Sequence, residues 1–252
     1  MSQAPSDRRR IAFFGGSFDP PHLGHLAVAR AAREALDLET VLFAPVGAQP
    51  LKPAGSTASF EDRVAMTELA IAGEPGFAIS LADAPNPSGR PNYTLETLLE
   101  VRKGLPSDDE LYCLMGADSF VGLRLWHRAA EIPFVAPLIV ASRPGQSLSD
   151  LKALLPAGLT MEPSEGSGPA EGAARPPEVE VRCYTLQSLT GTVAGLRTTF
   201  YLLPGLNVDI SASQIREMAQ EESGASEGSG AAGHKLLPDA VFDYMRFHGL
   251  YR

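Results

Sequence analysis

The stretch IAFFGGSFDPPHLGHLAVAR, residues 11–30, decides the fold. Its first four residues, Ile11 to Phe14, form an unbroken apolar run too short for a helix, which reads as a buried strand. Its alanine-rich end opens a helix predicted from about His22 to Leu36. Between them stand two glycines, two prolines and two histidines, so the segment is a strand-to-helix turn. Gly15 and Gly16 lack side chains and let a ligand come close to the backbone. Pro20 and Pro21 fix the turn where the helix has not begun. A helix N-terminus presents unpaired N–H groups and partial positive charge, a setting for phosphate. His22 and His25 are three apart and share one face of the first turn. Two imidazoles placed there can donate hydrogen bonds to phosphoryl oxygens. Spacing alone leaves a plainer reading open, in which the histidines cap the helix and the glycines make a turn. The stretch is not a Walker loop, since no Gly-Lys-Ser/Thr follows, and it is not Gly-x-Gly-x-x-Gly.

Outward from this turn, strand and helix patterns alternate. Strands are predicted at Thr40–Val46, Phe77–Ala82, Glu110–Met115 and Leu138–Ala141, with further strand character at Glu178–Leu186 and Thr198–Leu203. Helices are predicted from Ser59 to Gly73 behind a capping-box-like Ser-Phe-Glu-Asp, and at Thr94–Lys103, Ser211–Gln220 and Pro238–His248. Ser119–Trp126 reads as helix or turn. Such alternation implies βαβ units around a parallel sheet, hence an α/β fold. Two segments, residues 157–177 and 221–233, are Gly, Pro, Ser, Glu and Ala mixtures with few large apolar residues. They are expected as surface insertions, because they cannot bury enough surface to offset their ordering entropy.

Composition narrows the class. The chain has 252 residues, 44% of them hydrophobic, which suffices for one good core. A formal net charge of −9 argues against a general nucleic-acid binder, which must neutralise phosphates. Cys113 and Cys183 are the only cysteines and lie far apart, so no disulfide framework is expected. No run approaches the ~20 apolar residues that span a bilayer. The N-terminal MSQAPSDRRR has basic residues but no long apolar stretch behind them and does not read as a signal peptide. The expectation is a soluble, cytoplasmic protein with no nucleic-acid or membrane partner.

GSFDPPHLGH resembles the signature of the nucleotidyltransferase superfamily built around a His-x-Gly-His motif. That superfamily closes its domain with Ile-Ser-x-Ser-x-Ile-Arg, here ISASQIR from Ile210 to Arg216. The two motifs stand in the expected order. Three further stretches resemble the bacterial nicotinate-nucleotide adenylyltransferases: Met115-Gly-Ala-Asp-Ser119, Trp126-His127 and Tyr93-Thr94.

The resemblance implies a Rossmann-like three-layer fold over residues 10–252, a mostly parallel sheet with helices on both faces. It implies transfer of the adenylyl group of ATP to nicotinate mononucleotide, with release of pyrophosphate and no covalent enzyme intermediate. The implied catalytic residues are His22, His25, Arg216 and Lys52. The implied ATP and phosphate contacts are Gly15, Gly16, Ser17, Phe18, Gly116, Asp118, Ile210, Ser211 and Ser213. Those for nicotinate mononucleotide are Thr94, Trp126 and Arg143. The physics agrees with these types. Phosphoryl chemistry asks for positioning and charge neutralisation, and an arginine fork suits phosphate. A flat indole suits a pyridine ring. Taken singly, Trp126 also fits a core residue, Asp118 a helix N-cap and Lys52 a solvated loop lysine. No His/Cys/Asp cluster has metal spacing, so Mg2+ is expected to arrive with ATP. A homo-oligomer is left open.

Ser17 stands where the family usually has Thr and keeps the hydroxyl. Gln-Pro-Leu ahead of Lys52 is unusual for the family. The rivals are acceptors of the same superfamily, phosphopantetheine or nicotinamide mononucleotide, and a non-catalytic nucleotide sensor. A class I aminoacyl-tRNA synthetase is disfavoured by the lack of Lys-Met-Ser-Lys-Ser.

Overall fold

The computed structural model describes residues 8–52, 54–142, 148–164, 180–206, 210–224 and 235–252. Strand β1 (Arg10–Gly16) leads into α1 (Leu23–Leu36), followed by β2 (Thr40–Pro45), α2 (Phe60–Ile71), β3 (Phe77–Ile79) and α3 (Thr94–Gly104). Then come β4 (Glu110–Gly116), α4 (Ala117–Gly122), a 3-10 turn at Leu123–Leu125, α5 (Ile132–Val135), β5 (Leu138–Ala141) and α6 (Leu148–Ala153). The chain continues through β6 (Leu159–Pro163), β7 (Arg182–Ser188), β8 (Arg197–Leu203), α7 (Ala212–Gly224) and α8 (Asp239–His248).

All eight strands form one sheet in the order β3-β2-β1-β4-β5-β8-β7-β6. The five pairings from β3 to β8 are parallel, and β7 runs antiparallel to both its neighbours. The apolar run of β1 shows why three layers form. Ile11 and Phe13 pack with Leu95 and Leu98 of α3 and Phe120 of α4 on one face. Ala12 and Phe14 pack with Leu26, Ala29 and Ala32 of α1 on the other. A strand buried on both faces has no polar alternation to show, and this one reads as a continuous hydrophobic word. Strand order reverses direction between β1 and β4, which opens a crevice beyond their carboxyl ends, the usual ligand position in such sheets.

A third, smaller apolar cluster joins Met66 and Ala70 of α2 to Ile215 of α7, Val241 and Met245 of α8, and Tyr251. It seats the C-terminal part of the chain beside the turn that follows β1.

The structure corrects the expected insertions. Residues 159–163 form β6, an edge strand paired with β7. Leu159 and Met161 point inward and are buried, while Thr160 and Glu162 are exposed. Two large apolar residues at strand spacing are enough to dock this short segment on a preformed sheet edge. Residues 221–224 belong to the end of α7. The most Gly/Ser-rich parts of both expected insertions lie outside the described residues. Helix α6 was not foreseen, and the strand expected at Phe77–Ala82 stops at Ile79.

Candidate active site

His22 is the N-cap of α1, in extended backbone, and His25 is its third residue. The backbone N–H of His22 donates to Nδ1 of His25 at 3.2 Å. A ring nitrogen that accepts carries no proton, so the proton of neutral His25 sits on Nε2. The two imidazoles stack with centroids 3.7 Å apart. Phe14 and Phe18 stand edge-on to His25 at 6.1 and 4.9 Å. Burial lowers the pKa of His22 to about 4. Burial, and then the charge of His22, holds His25 well below the usual range. Both rings are therefore neutral donors at neutral pH. His22 Nδ1 is buried with no protein partner among the described residues.

The second motif reaches this turn from the far end of the chain. Ser211 caps α7, accepting from the N–H of Gln214 at 3.2 Å, while Gln214 Oε1 accepts from the N–H of Ser211. One turn on, Arg216 donates through Nη1 to the carbonyl of Asp19 at 2.7 Å and through Nη2 to Ser213 Oγ at 3.1 Å. Asp19 and Arg216 are 197 positions apart. A cavity of about 420 Å³ lies between the motifs. It is lined by Gly15, Gly16, Ser17, Phe18, His22, His25, Lys52, Gly116, Asp118, Ile210, Ser211, Ser213 and Arg216. The structure thus brings together every residue expected to face the phosphates.

Lys52 reaches in from the loop after β2. Its ammonium donates to Ser17 Oγ at 3.0 Å, and Gln49 donates to the same oxygen at 2.6 Å. Burial, then the positive charge of Arg216, lowers the Lys52 pKa. Four cationic or N–H-rich features therefore converge: Lys52, Arg216 and the N-termini of α1 and α7. Such a concavity can hold a polyanion and neutralise charge as it moves between oxygens.

A second cavity, of about 640 Å³, adjoins the first. Thr94, Trp126, Tyr93 and His127 line it, and it shares Gly15, Gly16, Ser17, Lys52, Asp118 and Ser119 with the smaller one. Trp126 is half-buried and packs on the edge of the main core, so its ring is a wall and not core filling. Thr94 is the first residue of α3. His127, unassigned in the sequence, packs against Tyr93 on the wall of this cavity, with ring centroids 4.5 Å apart. Cys113 is buried core, as its apolar setting suggests, and also borders the cavity. Arg143 lies outside the described residues.

Three residues with no role read from the sequence hold this arrangement. Asn92 accepts from the N–H of Ala48 at 3.0 Å and donates to the carbonyl of Ala84 at 2.8 Å, tying the Lys52 loop to the start of α3. Asp83 is buried below it and accepts from Thr97 Oγ1 at 2.6 Å; burial raises its pKa against the bonds from Thr97 and Asn92. Buried Arg63 donates to the carbonyl of Ser17 at 2.7 Å. Two of these three make bonds to backbone atoms, which leave no residue-type trace in a sequence. Among the described residues, no group of three or more His, Cys, Asp or Glu could hold a metal ion. Among them, no helix is long and apolar enough to cross a membrane.

The sequence profile of the Cytidylyltransferase-like family matches residues 13–218. A protein of Gloeobacter violaceus named "Probable nicotinate-nucleotide adenylyltransferase" is 35% identical over 243 residues, covering 96% of each chain. One of Trichlorobacter lovleyi with the same name is 33% identical, over 96% of this chain and 99% of its own. Among solved structures, the Plasmodium falciparum nicotinic acid mononucleotide adenylyltransferase complexed with NaAD has the same fold. Its TM-score is 0.64 over 97% of this chain and 98% of that one, at 15% identity. Its sequence is too distant to speak for more than architecture. The near-full-length relatives and the matched profile do speak for lineage: this chain belongs to the Cytidylyltransferase-like family and, within it, to the nicotinate-nucleotide adenylyltransferases.

Proposed function

We propose that this chain transfers the adenylyl group of ATP to nicotinate mononucleotide, giving nicotinic acid adenine dinucleotide and pyrophosphate, a step of NAD biosynthesis. The observation that carries the reading is the meeting of the two cavities at Gly15, Gly16, Ser17, Lys52 and Asp118. One cavity offers phosphate chemistry and the other an aromatic wall. Their junction is where an acceptor phosphate would meet the α-phosphorus of ATP.

In this reading the triphosphate lies in the smaller cavity, against the N-termini of α1 and α7. An oxygen of the acceptor phosphate attacks the α-phosphorus. The bond from that phosphorus to the bridging oxygen breaks, and pyrophosphate leaves with its electrons. His25 donates its Nε2 hydrogen to an oxygen whose negative charge grows in the transition state, and His22 donates beside it. Arg216 and Lys52 neutralise the leaving and attacking sides. The nucleophile is the substrate's own, so no side chain needs to become one. The pyridine ring lies on Trp126, and its carboxylate takes hydrogen bonds from Thr94.

The cavity supplies cations and N–H groups and, among the described residues, no cluster of three or more carboxylate, His or Cys side chains, which fits a metal carried by the phosphate oxygens. Magnesium arriving with ATP supplies additional charge neutralisation.

The test is product identification. Purified protein with ATP, Mg2+ and nicotinate mononucleotide should form the dinucleotide and pyrophosphate in equal amounts. Slow ATP hydrolysis without dinucleotide, or nucleotide binding without turnover, would overturn it and favour a sensor.

A further inference from the structure

The residue before the two prolines of the opening turn is gripped from three directions. Asp19 is buried. Its Oδ2 accepts from the N–H of Thr57 at 2.7 Å, and its Oδ1 accepts from the N–H of Ala58 at 3.0 Å. Oδ1 also accepts from the hydroxyl of Tyr251 at 2.7 Å, across 232 positions of chain. Tyr251 is the penultimate residue, buried, and held at φ 61° in the left-handed region that a tyrosine rarely adopts. A bulky residue persists in that conformation only when its surroundings determine it.

The same Asp19 touches Arg216 twice. Its carbonyl accepts from Nη1 at 2.7 Å, while its carboxylate Oδ2 stays 3.9 Å from that nitrogen. A carboxylate this close to a guanidinium would ordinarily close into a bidentate pair. Here its lone pairs are turned toward Thr57, Ala58 and Tyr251 instead. Arg63 adds a further tie two residues back, on the carbonyl of Ser17.

We propose that Tyr251 is a positioning residue for the phosphate site: its hydroxyl, with the N–H groups of Thr57 and Ala58, keeps the Asp19 carboxylate out of a bidentate pair with Arg216, so the guanidinium N–H groups not already given to the Asp19 carbonyl and Ser213 stay available for phosphate. Removing the hydroxyl leaves Oδ1 with the Ala58 N–H as its remaining partner, which loosens the carboxylate enough to turn and close Oδ2 onto Arg216, and the arginine is drawn out of the cavity it lines. The C-terminus of the chain thereby controls a group that the opening turn needs. The inference rests on the adenylyl-transfer reading, in which Arg216 meets phosphate.

The experiment is a double-mutant cycle of Y251F and R216K, read by kcat and by KM for both substrates. Phenylalanine keeps the ring and its packing, so the melting midpoint of Y251F should stay within a few degrees of wild type. Y251F should lower kcat about tenfold, with KM for nicotinate mononucleotide unchanged. In the R216K background the same change should cost less than twofold, because two residues acting through one contact are not additive. Unchanged kcat in Y251F, or a tenfold loss in both backgrounds, would overturn the proposal. Full activity of R216K alone would instead overturn the phosphate role of Arg216, a failure of the underlying reading that this single variant reveals by itself.

Discussion

The main-chain nitrogen of His22 donates its hydrogen to Nδ1 of His25, 3.2 Å away, and so fixes which nitrogen of His25 is left to act. The helix cap and the candidate catalytic group are the same contact. It follows that the two nitrogens of His25 are separable by substitution. His25→Ala should lower kcat on the order of 100-fold or more, the loss typical of one transition-state donor, with little change in KM for ATP. His25→Gln places an amide N–H near the Nε2 position and should recover part of kcat. His25→Asn restores only the acceptor near Nδ1 and should recover melting temperature but not kcat. Steady-state kinetics and thermal melts on the three variants check this. Near-wild-type kcat in folded His25→Ala would remove the histidine from the chemistry.

The histidine pair also makes a pH prediction. The folded pKa of His22 is depressed from its ordinary 6.5 to about 4, and that of His25 is depressed too. The unfolded chain therefore binds more protons between these values, and stability falls as pH drops through the window from about 6.5 toward 4. His22 alone accounts for roughly 1–2 kcal/mol between pH 6.5 and 5. Chemical denaturation of wild type and His22→Asn at both pH values measures it. The variant should show a shallower loss on acidification, and an equal slope would contradict the burial argument.

Trp126 should act on one substrate. Ring stacking is worth roughly 0.5–1.5 kcal/mol beyond area burial, and about 1.4 kcal/mol is a factor of ten. With the buried contact area added, Trp126→Ala should raise KM for nicotinate mononucleotide about tenfold or more, and KM for ATP much less. Trp126→Phe should recover part of the loss. A core tryptophan cut to alanine would instead cost ~3–5 kcal/mol of stability. The indole is half-buried at a cavity wall, so the melting midpoint should move little. Equal changes in both KM values, or a large melting shift with both unchanged, would make it a packing residue.

The β1–turn–α1 unit was legible because each of its signals is local: an apolar run, turn residues, then an alanine-rich helix. The sheet of alternating elements followed from the same local patterns, and the paired motifs pointed to one cavity. What escaped reading was non-local or carried by backbone. Asp19 lies inside the quoted motif, yet its partners stand 38, 39, 197 and 232 positions away. Asn92 works through main-chain atoms of Ala48 and Ala84, which any residue could supply. β6 hid because two inward residues, Leu159 and Met161, sit at the start of a Gly/Pro/Ser-rich stretch whose composition dominates the reading. Thr94 and Trp126 were placed by family resemblance, and the structure adds that both line a single cavity.

In the proposed reaction the aromatic cavity takes nicotinate mononucleotide and delivers its phosphate to ATP at the junction beside Lys52 and Ser17. The most direct test is pyrophosphate release from ATP, followed with nicotinate mononucleotide, nicotinamide mononucleotide or phosphopantetheine as acceptor at equal concentration. The account predicts kcat/KM highest with nicotinate mononucleotide, lower with the amide that lacks its carboxylate charge, and no release with phosphopantetheine. Equal or faster release with phosphopantetheine, or none with any acceptor, would contradict it.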